Sequence, residues 1–158
     1  MHLLSLLVVA CALAACFVTS AELGMRPVAR WRLVLAPALA LPPTLILLNA
    51  PPPELFDPQV WMLALVFALA GVVRGALIAI SVDHARGRVL MARAPEAFWI
   101  ALGSALLIAA EIVAEPVGKL TSSFAETVEL FLVVLTSFLV GRNAALLVRS
   151  RDAPHHDL

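Results

Sequence analysis

The sequence predicts an all-α membrane protein, a polytopic transmembrane bundle of five helices with its amino terminus outside and its carboxyl terminus in the cytoplasm. Three observations predict it. Of 158 residues, 62% are hydrophobic and 14% charged, against roughly 45–50% and 25% in soluble domains. The mean hydropathy is +0.98. Five apolar runs, roughly 3–20, 33–50, 59–82, 97–115 and 123–148, each approach the ~20 residues that cross a ~30 Å hydrocarbon core as helix. The runs are too continuous for the alternating pattern of a barrel strand, and in lipid a helix satisfies its own backbone. Residues 1–150 read as one transmembrane domain and 151–158 as a short polar tail.

The first run carries Leu13-Ala14-Ala15-Cys16, which fits a lipobox, and Val8-Val9-Ala10-Cys11, which fits loosely. Its start, Met-His, lacks the basic residue of a signal peptide. Cleavage at Cys16 would also leave Arg26, Arg30 and Arg32 outside, against the bias of the other loops, so a retained helix is expected. Cys11 and Cys16 are about 140° apart on a helix, so their sulfurs diverge and packing is the expected role.

The second run contains Pro37, Pro42 and Pro43. Prolines free backbone carbonyls, and a kink satisfied by neighbours or Thr44 is expected rather than a transport site. The third opens on Asp57-Pro58, a capping carboxylate before a first-turn proline, and Pro95-Glu96 opens the fourth similarly. Pro116 stops the fourth, and Ser123-x-x-Glu126 forms a capping box for the fifth.

Basic residues set the orientation. Arg26, Arg30 and Arg32 lie in one loop, Arg86, Arg88 and Arg93 in another, and Arg149 and Arg151 in the tail. The opposite loops hold only Lys119 beside Glu54 and Asp57. The arginine-rich side is therefore expected in the cytoplasm. There Arg26, Arg30, Arg32, Arg86, Arg88 and Arg93 would contact anionic headgroups.

Ala64, Ala68, Gly71, Gly75 and Ala79 form one small-residue stripe on the third run, which is how membrane helices approach closely. Arg74 flanks that stripe. With a helix running to residue 82, it would lie about 12 Å inside the membrane. A buried guanidinium snorkels to headgroups or pairs with a carboxylate. Glu111 is the expected partner, on a stripe of Ala97, Ala101, Ser104, Ile108, Glu111 and Glu115. Glu126, Glu129, Thr136 and Asn143 share a broad face of the fifth run, with Arg142 near its cytoplasmic end. Glu111, Glu115, Glu126 and Glu129 thus gather in the outer half. They would cap and border helices, or else handle a cation or protons. The intramembrane charges singled out are Arg74, Glu111 and Glu129.

The stretch from Gly71 to Ala101 resembles the CcdC-like family of small integral membrane proteins. The resemblance lies in a G-x-x-R-G segment ending a helix (Gly71, Arg74, Gly75) and a turn with Asp83 and Gly87. A strand-like piece with Val89 and Arg93 follows, then an aromatic-opened helix at Trp99. Arg26-Pro27 before an apolar helix is similar too. The resemblance implies four or five helices and no established catalytic activity.

No hydrolase, zincin, P-loop or dinucleotide motif appears, and His155-His156 reads as a solvated end. No catalytic residue, metal or cofactor is expected, and nothing points to nucleic acid. The expected function is that of a non-catalytic accessory or scaffold in a bacterial inner membrane. Its associates would be the bilayer and either a membrane-protein partner or a second copy. The alternative is a small transporter or ion or proton conductor using Arg74 and Glu111.

Overall fold

A computed structural model describes residues 2–24, 26–48, 57–92, 94–114 and 122–154. Helix α1 spans His2–Thr19 and runs into a 3₁₀ turn, Ser20–Gly24. The short strand β1, Val28–Ala29, precedes α2, Arg30–Leu48; α3 follows at Pro58–Leu77. Strands β2, Ile80–Asp83, and β3, Arg88–Met91, lead to α4, Glu96–Ala114, and α5, Ser122–Asp152. Each of the five helices contains a span long and apolar enough to cross a membrane, the architecture of a multi-pass membrane protein.

Helix α5 is the centre of the bundle, packed on α2, α3 and α4, while α1 closes the far side against α2 and α4. At 31 residues it is about 46 Å long, more than a ~30 Å hydrocarbon core requires. Its last turns run on beside a small antiparallel sheet ordered β1-β3-β2. Val28 and Val82 both pair with Val89, and these valines pack with Leu33, Ile78 and Leu146 in a core of their own. A second core joins Val8 and Ala12 of α1, Ile108 of α4, and Val128 and Leu132 of α5.

The outward faces are apolar. Leu65, Leu69, Val73 and Leu77 of α3 are all exposed, as expected of surfaces whose solvent is lipid.

Helix ends depart from the sequence expectation in two informative places. The third run was expected to stay helical to 82. Instead α3 stops at Leu77, and its C-cap Ile78 is extended. Residues 80–83 then pair with 88–91. Gly87, with φ of 60°, turns the chain between the two strands in a conformation that costs a residue with a Cβ. Apolar β-branched residues that read as lipid-facing helix are therefore strand packed over the end of α5. Of the strand-like piece expected at Val89 and Arg93, Val89 lies in β3. The fifth run continues to Asp152, past the expected 148.

The Asp57 cap is present, its Oδ1 accepting from Gln59 N at 2.9 Å. Helix α5 begins at Ser122, two residues earlier than the start at Phe124 that a cap at Ser123 requires. Glu54, Arg93, Glu115, Pro116, Lys119 and the His155-His156 pair lie outside the described residues.

Candidate functional site

The small stripe packs where expected, along the α3–α5 seam. A Cβ added at Gly71 would lie 2.1 Å from Phe138 O, and one at Gly75 would lie 2.4 Å from Arg142 O. Gly141 of α5 reciprocates: its added Cβ would lie 1.9 Å from Ala68 O. The two backbones are in contact, and only glycine permits that approach. Ala64 packs beside Val60 and Val133. Ala79 is the exception. It lies beyond the end of α3, exposed, with its carbonyl accepting from Ala92 N at 2.8 Å.

Arg74 does not pair with Glu111. Its Nε donates to Glu96 Oε1 at 2.7 Å, and its Nη2 also contacts that oxygen. Because α3 stops at Leu77, Arg74 occupies the last helical turn, where a cation also complements the helix dipole. Glu96, at the start of α4, stands beside it. Glu111 is fifteen residues further along α4, about 22 Å away along the axis. It borders a different space, a cavity of about 100 Å³ facing Ser5 and Val8 of α1 and Ile46 and Leu47 of α2.

The deeply buried arginine is Arg142. Its side chain is 0% exposed and its Nη2 donates to Glu22 Oε2 at 2.7 Å, with Glu22 5% exposed. The same Nη2 lies 3.2 Å from Ala94 O, and Nη1 donates to Asn143 Oδ1 at 2.9 Å. One guanidinium thus joins the 3₁₀ turn after α1, the segment leading into α4, and α5. The backbone of the same residue receives the glycines of α3. A buried charge is tolerable when paired and multiply hydrogen-bonded.

Asn143 extends the network. Its Nδ2 donates to Leu33 O at 3.0 Å. Leu33 stands four residues before Pro37, so its carbonyl lacks the usual helical N–H donor. The polar side chain of α5 replaces the donor that proline removed. Thr44, the expected rescuer, donates to Ala40 O at 3.0 Å and so accepts from Thr136 Oγ1 at 2.8 Å.

The α3 terminus is closed in the same manner. Arg149 Nη1 donates to Gly75 O at 3.0 Å and Ile78 O at 2.6 Å, orphan carbonyls of a helix end. Arg30 Nη2 donates to Ser150 O at 2.6 Å and to His84 Nδ1 at 2.8 Å. That assigns the proton of the ring to Nε2, which donates to Ala153 O at 2.7 Å. Arg30 and Arg86 are thus engaged within the chain, Arg86 with Asp83; Arg26 and Arg88 are exposed and Arg32 half-buried.

The described carboxylates of the expected gathering differ in burial and surroundings. Glu126 is exposed, Glu129 is buried on α5, and Glu111 faces α1 and α2. No group of three His, Cys, Asp or Glu side chains converges among the described residues. Where α1, α2, α4 and α5 meet, beside Ser104, Thr44 and Thr136, the void is about 10 Å³, room for one water at most. Cys11 and Cys16 are free and half-buried.

Sequence reasoning singled out Arg74 and gave Arg142 only a place near the helix end. Glu22 was missed. The available signal was an Arg-Asn pair inside an apolar run, together with a lone acid in an otherwise arginine-bearing loop. No family model, curated protein or solved structure matches this chain.

Proposed function

We propose that this chain is a bacterial inner-membrane protein with its arginine-rich end in the cytoplasm, acting as a non-catalytic accessory or scaffold. The observation that carries this reading is the commitment of Arg74 and Arg142, the two arginines set within the apolar runs of α3 and α5. Arg142 is held by Glu22 and Arg74 by Glu96, so both charges organise the fold instead of awaiting a substrate. A transport site needs polar groups that a passing solute can engage. The basic residues of loops and tail favour the cytoplasmic placement. The similarity to the CcdC-like family, through Gly71, Arg74, Gly75 and Gly87, is part of the same proposal.

The alternative, a small transporter or ion conductor using Arg74 and Glu111, has one observation in its favour: Glu111 borders the cavity between α1, α2 and α4. Reconstituted into vesicles, the protein should carry no ion or proton flux above empty vesicles. A flux abolished by Arg74→Leu or Glu111→Gln would replace the scaffold reading with this one. For orientation, a fluorescent-protein fusion at the carboxyl terminus should glow and an alkaline phosphatase fusion there should be inactive; the reverse result would invert the topology.

A further inference from the structure

We propose that the cleft between the 3₁₀ turn and the start of α2 binds the phosphate headgroup of one anionic phospholipid, gripped by Arg26 and Arg32. The site presupposes the membrane reading above and gives one place in it a ligand of defined chemistry.

The described arginines of this end differ in their partners, with Arg88 and Arg151 exposed outside the cleft. Arg74, Arg86 and Arg142 meet carboxylates, while Arg30 and Arg149 donate to carbonyls. Arg26 and Arg32 have no carboxylate partner among the described residues, and both border one open cleft of about 580 Å³. Its other lining includes Ser20, Leu23, Gly24 and Pro27, with no acidic side chain. Two uncompensated guanidiniums facing one space make a strong anion site, because a guanidinium matches phosphate oxygens in pairs.

Both side chains are placed rather than loose. Arg32 lies over the Trp31 ring at 5.4 Å. Arg26 folds back across Gly24, where an added Cβ would meet Arg26 Cγ at 3.4 Å.

The surroundings select a lipid over a free anion. Leu23 is 47% exposed and Trp31 58% exposed, and an exposed tryptophan at a helix start marks headgroup depth. Phe17 on α1 and Val34 on α2, also exposed, continue the apolar surface into the membrane on the two helices that flank the cleft. A ligand with an anionic head and apolar tails satisfies both parts.

Native mass spectrometry of the full chain in mild detergent, titrated with phosphatidylglycerol or phosphatidylcholine, tests the site. One phosphatidylglycerol should be retained per chain, about tenfold more tightly than phosphatidylcholine. The variant Arg26→Gln/Arg32→Gln should lose that preference, while Arg88→Gln/Arg151→Gln, altering exposed arginines outside the cleft, should keep it. Equal loss in both variants would reduce the effect to diffuse charge and overturn the site. Displacement of the lipid by millimolar inorganic phosphate would overturn it in favour of a free-anion site. Circular dichroism controls for folding. If the glutamine variant unfolds, Arg26→Lys/Arg32→Lys, which keeps the charge but loses the paired donors, should bind several-fold more weakly, and unchanged binding would overturn the proposal. Binding in detergent depends on neither orientation nor scaffold role, so its failure leaves both readings standing.

Discussion

At the end of α3, Arg74 meets Glu96 with 40% and 29% of the two side chains exposed; inside the bundle, Arg142 meets Glu22 with 0% and 5% exposed. In sequence the two arginines look alike, each a lone charge in an apolar run beside glycine. They differ in how far the helix continues beyond them. Three residues follow Arg74 in α3 and ten follow Arg142 in α5, about 4.5 Å and 15 Å of helix. The depth of a charge is set by where its helix stops, and a helix end is what hydropathy alone marks least well. The shallow pair touches two elements and stays partly exposed. The deep pair ties three, and has nothing else to bind.

That contrast is broken most directly by Arg142→Met, which strands Glu22 as a buried, unpaired carboxylate. A loss of about 3–5 kcal/mol is expected, seen as a large drop in the midpoint of thermal unfolding in detergent. Glu22→Leu/Arg142→Met should recover most of it, since an apolar pair of similar volume replaces a buried ion pair at little cost. If Arg142→Met were no worse than Arg74→Met, the distinction between the two sites would be gone.

The seam beneath Arg142 comes next. Gly141→Ala places a Cβ on the backbone of Ala68, where no side chain can yield, and overpacking of this kind costs about 1–3 kcal/mol. The control is Gly103→Ala on α4, whose Cβ would meet only Leu135 Cδ1 at 3.9 Å. There the better helix propensity of alanine should leave stability unchanged or slightly raised. Equal losses at both positions would mean that the close approach of α3 and α5 is not what the glycines provide.

Five helices, their packing stripes and the clustering of arginine at one end were legible, because each follows from a period or a count. The sheet was not. Ile80, Val82 and Val89 are as apolar as lipid-facing residues, and only the turn through Asp83 and Gly87 separates strand from continued helix. The Arg142 network was illegible for another reason. Glu22 and Arg142 are 120 residues apart, and nothing local in either segment names the other. Arg74 misled through the same missing strand: five more residues of presumed helix carried it too deep and matched it with Glu111.

Asn143 sharpens the comparison from the neutral side. If it serves the carbonyl that Pro37 leaves without a donor, Asn143→Leu should cost about 1 kcal/mol, in the range of intramembrane hydrogen bonds. Pro37→Ala restores an N–H four residues after Leu33, and in that background the same substitution should cost measurably less. The double-mutant cycle reads this coupling, and strict additivity would separate the asparagine from the proline.

The smallest effect belongs to the residue that stands out most in the sequence. Arg74→Met removes a half-exposed pair at a helix end, and such pairs contribute about 0–1 kcal/mol. The Glu96 side chain is 29% exposed, so water still reaches part of the carboxylate that the substitution leaves unpaired. Unfolding midpoints should therefore shift little, and less at high salt, which screens an exposed pair but not an enclosed one. A loss approaching that of Arg142→Met, insensitive to salt, would place Arg74 inside the bundle after all and return α3 to the longer helix that the hydropathy pattern suggests.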